Sequence, residues 1–449
     1  MTGLERIKNT MEGKPTDKTP WVPFAGVHSG ALVGYTAREV STDVDKLEEA
    51  LKAVNKYYNP DGQPIMFDLQ IEAEILGCEL AWSEDAPPSV KTHPVDEDDD
   101  VPTKIPEKTE GRLAMELEAV RRARKLFPDT ALYGVNCGPF TLASHLRGTD
   151  IFMDMIDEPE KVEEMLEYTS DVCIAVAKYL IEAGCDVVAV TDPLISQISP
   201  THFEEFMKKP FTKVFDAIRE EKAYSAFFVC GDATRNLEPM CETHPDSISV
   251  DENVNLSAAK KITDAANITL SGNIPLTSIM LFGNQLDNMK ATIDMIDSID
   301  CTHHYIVSPG CDMPYDIPLE NTIGDEQAVH NTDETRKMVS GYKKEDVEFE
   351  GELPDYDNLK KPLVEVFTLD SATCAACTYM KAAAVDAVEQ LDKDSIDLVE
   401  YKYTVADNIA RCKAMNVTQL PSIYINGKKK FASIIPNRDE LLKAIEEEK

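Results

Sequence analysis

Two cysteines stand where buried strands should end. Tyr305-Ile306-Val307 is a β-prone run that empties into Ser308-Pro309-Gly310, and Cys311 follows at once. Prolines 309, 314 and 318 keep the backbone around that thiol stiff and out of helix. Ala226-Phe227-Phe228-Val229 is a second apolar run, and Cys230-Gly231-Asp232 comes after it. A thiol held on a short loop at a strand end suits metal binding or nucleophilic chemistry. Two of them, far apart in sequence, suggest one site assembled from two strands. A pair of thiolates favours zinc over magnesium or calcium. A further pair, Cys374-Ala375-Ala376-Cys377, opens a helical stretch that runs to Leu391. At a helix N-terminus unpaired N–H groups and the helix dipole favour a thiolate, so Cys374 is expected to attack and Cys377 to resolve.

The elements that must carry these residues alternate. Strands are expected at Thr19–Phe24, Pro64–Asp68, Ala131–Val135, Asp186–Val190, Ala226–Val229, Ser247–Val250, Ile268–Ser271 and Tyr305–Val307. Helical patterns lie between them, among them Leu47–Tyr58, Leu113–Leu126, Pro159–Ala183, Pro200–Glu221 with a break at Pro210, and Leu286–Ile299. Roughly eight strand–helix units predict a closed (β/α)8 barrel over residues 1–345. Every strand then points its C-terminal end to one face. His28, Asp68, Asp192, Cys230, Asp251, Glu252 and Cys311 fall on that face. Residues 346–361 are acidic and turn-rich and read as a linker. Residues 362–449 form a small α/β domain in which Pro421 precedes a strand.

Composition excludes several partners. The 449 residues carry 81 acidic against 45 basic side chains, a net charge of −36. Such a surface repels nucleic acid and anionic membranes. No apolar run reaches the roughly 18 residues a membrane helix needs, and the first residues lack the apolar core of a signal peptide. Eleven scattered cysteines do not form a secreted disulfide framework. The expectation is a reducing cytoplasm, that of an anaerobe.

Residues 362–449, with CxxC at the first helix N-terminus and Pro421 before a later strand, resemble the thioredoxin-like proteins. That resemblance implies a cis Pro421 lying against the dithiol. Phe67-Asp68-Leu69 with Glu72-Ala73-Glu74, Gly77-Cys78, Gly138-Pro139-Phe140-Thr141, Cys230-Gly231-Asp232 and Ser308-Pro309-Gly310-Cys311 together resemble the uroporphyrinogen-decarboxylase-like superfamily. Within it, they resemble the methylcobamide:coenzyme M methyltransferase branch. The decarboxylases carry arginines after the first strand. Phe24 to Gly30 has none here, so decarboxylation is disfavoured. In the methyltransferase branch a His-x-Cys pair and a later cysteine hold zinc. Cys230 and Cys311 match the two cysteines, and Phe228 stands at the histidine position. Glu252 is the candidate replacement ligand, while His28 and Asp192 are candidate polar residues of the cofactor pocket.

The resemblance implies transfer of a methyl group from a methylcorrinoid to a zinc-activated small-molecule thiol. No DxHxxG-type cobalamin motif is present, which implies a separate corrinoid carrier protein. Two other readings are open. One is a thiol-disulfide oxidoreductase that uses the CxxC domain with the barrel as binding module. The other is a corrinoid- or tetrapyrrole-binding chaperone without turnover.

Overall fold

The computed structural model describes residues 1–449 except 98, 345–350, 357, 372–374, 392–394, 418, 433–434, 437 and 449. Two compact units divide the chain, the first comprising Met1–Ile195 with Ser199–Lys343 and the second based on Lys344–Lys449.

Seven parallel strands curl through the first unit. Their order in the sheet is their order in the chain: Gly62–Pro64, Ala131–Cys137, Val187–Thr191, Tyr224–Val229, Ser247–Val250, Thr269–Ile274 and Tyr305–Pro309. Helices cover the outside and side chains fill the inside, so strands such as Val187–Thr191 are buried on both faces and read as continuous apolar runs. The long helix Pro159–Ala183 packs in the same way as its pattern predicts, with Val162, Leu166, Val172, Val176 and Leu180 turned inward.

The first expected strand is reduced to one bridge. Trp21 pairs with Val307 and nothing longer forms. Pro20 and Pro23 flank the pair and lack N–H donors, which stops the ladder on both sides. Those few bonds still tie the two sheet edges. Val22 N–H donates to Val307 O at 3.0 Å and Val307 N–H to Pro20 O at 2.9 Å. On the other side Asp61 N–H donates to Trp21 O at 2.9 Å. The second expected strand also ends early, at Pro64, and Ile65 to Asp68 leave the ladder after one further bond from Ile65 N–H to Tyr133 O. The expected break at Pro210 falls earlier. The backbone widens into a π-turn at Phe203–Met207, one turn ahead of Pro210 in a continuous helical run, and that widening accommodates a residue without an N–H.

Asp61 is the hub of this closure. It is 4% exposed, forms an ion pair with Arg6, and accepts from Trp21 N–H at 2.9 Å. His330 Nε2 lies 3.2 Å from the same carboxylate, and His330 Nδ1 lies 2.7 Å from Glu326. Burial opposes charge on His330, but Asp61 and Glu326 outweigh it and hold its pKa above the ordinary histidine value. A raised folded pKa means that His330 stabilises the fold fully below its unfolded value of about 6.5 and ceases to do so as pH rises through the folded one. The stability difference between the parent and His330→Gln should therefore be larger at about pH 6 than at about pH 9. A difference independent of pH in chemical denaturation would contradict this.

In the second unit four strands lie in the order Asp397–Lys402, Leu363–Thr368, Ser422–Ile425, Lys428–Ala432. The first pair is parallel and the other two pairs are antiparallel. Helices Ala375–Leu391 and Arg438–Glu446 pack on one apolar layer around Val364, Val366, Met380 and Ile423. The Leu420–Pro421 bond is cis. No helix among the described residues is long and apolar enough to cross a membrane.

Candidate functional site

Cys230 and Cys311 leave strands that are not neighbours. Ser247–Val250 and Thr269–Ile274 lie between them in the sheet. The two loops nevertheless converge, and the structure joins Cys230 to Cys311 in a disulfide with 5.7 Å between Cα atoms. Both loops rest on the Asp251–Glu252 corner that follows the first of these two strands, Ser247–Val250. Asp251, buried, accepts from Gly231 N–H. Gly310 accounts for the other side: a Cβ there would lie 2.7 Å from the backbone N of Glu252. Gly231 has φ of +88°, a conformation glycine adopts at no steric cost. Gly310→Ala must push Cys311 away from this corner, and a loss of about 1–3 kcal/mol in chemical denaturation is expected. Unchanged stability would mean that the corner yields freely.

Phe228 lies two residues before Cys230, near the end of the strand that Cys230 follows. Its ring is fully buried, 4.8 Å from Phe24 and 5.4 Å from Phe67, both edge-on. The position that the family resemblance gives to histidine is thus part of a buried aromatic cluster with Phe24 and Phe67. Glu252 is half-buried, with Oε2 accepting the N–H of Leu276. Burial, reinforced by the charge of Asp251, pushes its carboxyl up to about 8. Among the described residues no group of three or more His, Cys, Asp or Glu side chains stands arranged around a metal position.

The two expected pocket residues are engaged elsewhere. His28 is wholly buried; its Nδ1 lies 2.9 Å from the Tyr315 carbonyl and its Nε2 2.6 Å from the Tyr58 hydroxyl. A carbonyl only accepts, so Nδ1 carries the proton and Nε2 accepts from Tyr58. Both ring nitrogens are occupied, and burial lowers the pKa to about 4, so the ring is neutral. His28 is therefore a brace between loops. Asp192 caps a helix that starts after the neighbouring strand: its carboxylate accepts from Phe140 N–H at 2.9 Å, Thr141 N–H at 3.1 Å and Thr141 Oγ1 at 2.6 Å. Asp68 is likewise engaged, by Arg112 and by Gln70 N–H at 2.8 Å.

One residue of the mouth has no signal in the sequence. Asp312, next to Cys311, accepts from Gly26 N–H at 2.9 Å, and Met313 N–H donates to Phe24 O at 2.9 Å. These bonds pin the cysteine loop to the segment after Trp21. Nothing local links positions 26 and 312.

In the second unit Cys377 is buried, with its sulfur accepting from Leu369 N–H at 3.3 Å. Lys381, one turn along the helix, pairs with Glu400 at 2.7 Å, and Glu400 also accepts from Thr368 Oγ1 at 2.7 Å and Ser371 N–H at 3.2 Å. Neither Lys381 nor Glu400 was marked by the motif. Cys374, the expected attacking thiol, lies outside the described residues.

A parallel sheet curled into a barrel, with reactive side chains gathered at its C-terminal ends, is the architecture of an α/β-barrel enzyme. The chain belongs to the uroporphyrinogen decarboxylase (URO-D) family, whose model matches residues 2–331. Among its relatives is a methylcobamide:CoM methyltransferase of Methanosarcina acetivorans, 28% identical over 328 residues, covering 71% of this chain and 95% of the relative. A uroporphyrinogen decarboxylase of the Wolbachia of Brugia malayi is 28% identical over 268 residues, 58% of this chain and 74% of the relative. The fold is similar to that of a solved methyltransferase from Methanosarcina mazei, with a TM-score of 0.67, 24% identity, and coverage of 74% of this chain and 99% of that one.

Proposed function

We propose that this protein is a methyltransferase that moves a methyl group from a methylcorrinoid, carried by a separate protein, to the thiol of a small acceptor of the coenzyme M kind. The observation that carries the reading is the convergence of Cys230 and Cys311 at the C-terminal ends of their strands. The methylcobamide:CoM methyltransferases among the relatives support it. Decarboxylation is set aside because Phe24 to Gly30 holds no arginine for a carboxylated tetrapyrrole.

The residues fit zinc in part. Reduced, Cys230 and Cys311 supply two thiolates, and Glu252, on the corner that carries both loops, supplies an oxygen. His28 and Phe228 supply nothing. When bound there, zinc would lower the pKa of a thiol. The protein's own part is positional: two strand-end loops hold the cysteines together, and the buried cluster of Phe24, Phe67 and Phe228 excludes water from the barrel interior. The acceptor's thiol proton would pass to solvent as the thiol becomes a thiolate. The thiolate then attacks the methyl carbon, an S–C bond forms, and the electron pair of the broken Co–C bond stays on cobalt as Co(I).

The second unit is proposed as a thioredoxin-like dithiol domain, with Cys374 attacking, Cys377 resolving and Pro421 beside them. It would keep the barrel cysteines or the acceptor thiol reduced. The Cys230–Cys311 disulfide favours one rival, a thiol-disulfide oxidoreductase whose barrel holds the disulfide substrate. That enzyme would need Cys374 and Cys377 and would ignore corrinoid. Metal analysis of protein purified and reduced without oxygen separates the two. The proposal expects about one zinc per chain, lost in the variant carrying Cys230→Ser and Cys311→Ser. No zinc in the parent would favour the rival.

A further inference from the structure

We propose that Cys230 and Cys311 form a reversible dithiol–disulfide couple that closes and opens the barrel site, with a dithiol as its reductant. What the opened site does rests on the methyl-transfer reading; the couple itself does not. The first observation is the bond, made between loops whose strands are separated by two others. Strand pairing ends before either cysteine, at Val229 and Pro309, so breaking the bond unpairs no strand.

The second observation is access. Cys230 and Cys311 are both half-exposed. Cys78, Cys137, Cys173, Cys185, Cys241 and Cys412 are free and buried, and burial pushes the thiols of Cys78, Cys241 and Cys412 up to about 12. Thiol–disulfide exchange needs a thiolate that can reach a sulfur, and the barrel mouth offers one. The third is exclusivity. Sulfurs bonded to each other cannot serve as a pair of thiolates, so the oxidised mouth can neither hold zinc through them nor activate an acceptor.

The exchange balances. A dithiol's thiolate attacks one sulfur, a mixed disulfide forms, and the other cysteine leaves as its thiolate. The dithiol's second thiol then displaces the first cysteine. Two electrons and two protons pass to Cys230 and Cys311, and the dithiol becomes a disulfide. Cys377 is disulfide-bonded in this structure, and the CxxC motif to which it belongs would be a dithiol of this class once reduced.

The test uses the whole chain, equilibrated without oxygen at graded ratios of oxidised to reduced dithiothreitol. Free thiols are trapped by alkylation and assigned by peptide mass mapping. After removal of dithiothreitol, parallel samples are assayed for methyl transfer from methylcobalamin to coenzyme M. The linked fraction of Cys230 and Cys311 should follow the ratio and reverse with it, and transfer should fall at least about tenfold in the linked form. Full alkylation of both cysteines at every ratio would overturn the couple. Equal transfer by linked and reduced protein would overturn its closing role. A couple that titrates while no sample transfers methyl would uphold the couple and overturn the methyl-transfer reading instead.

Discussion

Methyl transfer to a thiol should fall about a hundredfold or more when Cys230 and Cys311 are both replaced by serine, because the acceptor then loses the sulfur pair proposed to activate it. Under reducing conditions the same variant should unfold at nearly the parent's denaturant concentration, since both residues lie half-exposed beyond the ends of their strands. Under oxidising conditions it should lose up to about 4 kcal/mol, the loop-closure contribution of a crosslink whose ends are 81 residues apart. Activity lost with stability intact assigns the pair to chemistry. A variant that transfers methyl at the parent's rate would remove the cysteines from the mechanism. Single replacements add information, because a lone remaining thiolate retains part of a metal site but cannot form the disulfide.

Asp61→Ala should be the most damaging single change to the first unit, costing about 3–5 kcal/mol. It leaves the buried Arg6 without its buried partner, orphans Trp21 N–H and removes one carboxylate from His330. Trp21 is where the two edges of the sheet are tied, so the loss falls on barrel closure. The check is chemical denaturation of the parent and of Asp61→Ala, followed by far-ultraviolet circular dichroism. A cost below about 1 kcal/mol would show that Arg6 finds compensation in Asp17, 2.7 Å from its Nε. Asp61→Asn should fall between, since an amide oxygen still accepts from Trp21 but carries no charge for Arg6.

How much of this was legible in the sequence depends on whether the signal was local. Strands at 187–191, 224–229 and 305–309 were readable because strands buried on both faces are apolar throughout. The convergence of Cys230 and Cys311 followed from a rule of topology: parallel barrel strands end on one face. Thr19 to Phe24 misled for a local reason that was visible, two prolines, whose effect on pairing outweighed the apolar pattern.

The hydrogen-bond partners of the candidate site residues could not be read where they are distant in sequence. His28 looks like a pocket ligand until Tyr58 and Tyr315 are seen on its two nitrogens. Asp192 looks like a strand-end acid, but it completes the N-terminus of a helix begun after another strand. Asp312 carried no pattern at all, although it anchors the loop on which Cys311 is presented. Phe228 was legible as a departure from the family's histidine, yet only packing shows that it joins an aromatic cluster with Phe24 and Phe67.

Methyl transfer to a thiol at the barrel mouth can be observed directly. Its most direct test is to mix zinc-supplied, fully reduced protein with free methylcobalamin and coenzyme M without oxygen, and to follow the visible spectrum for loss of the Co–C bond. Protein-dependent conversion to Co(I) is expected, with one methylated thiol formed per cobalt, requiring both the acceptor and Cys311. Intact methylcobalamin under these conditions, with dithiol–disulfide exchange retained, would contradict it.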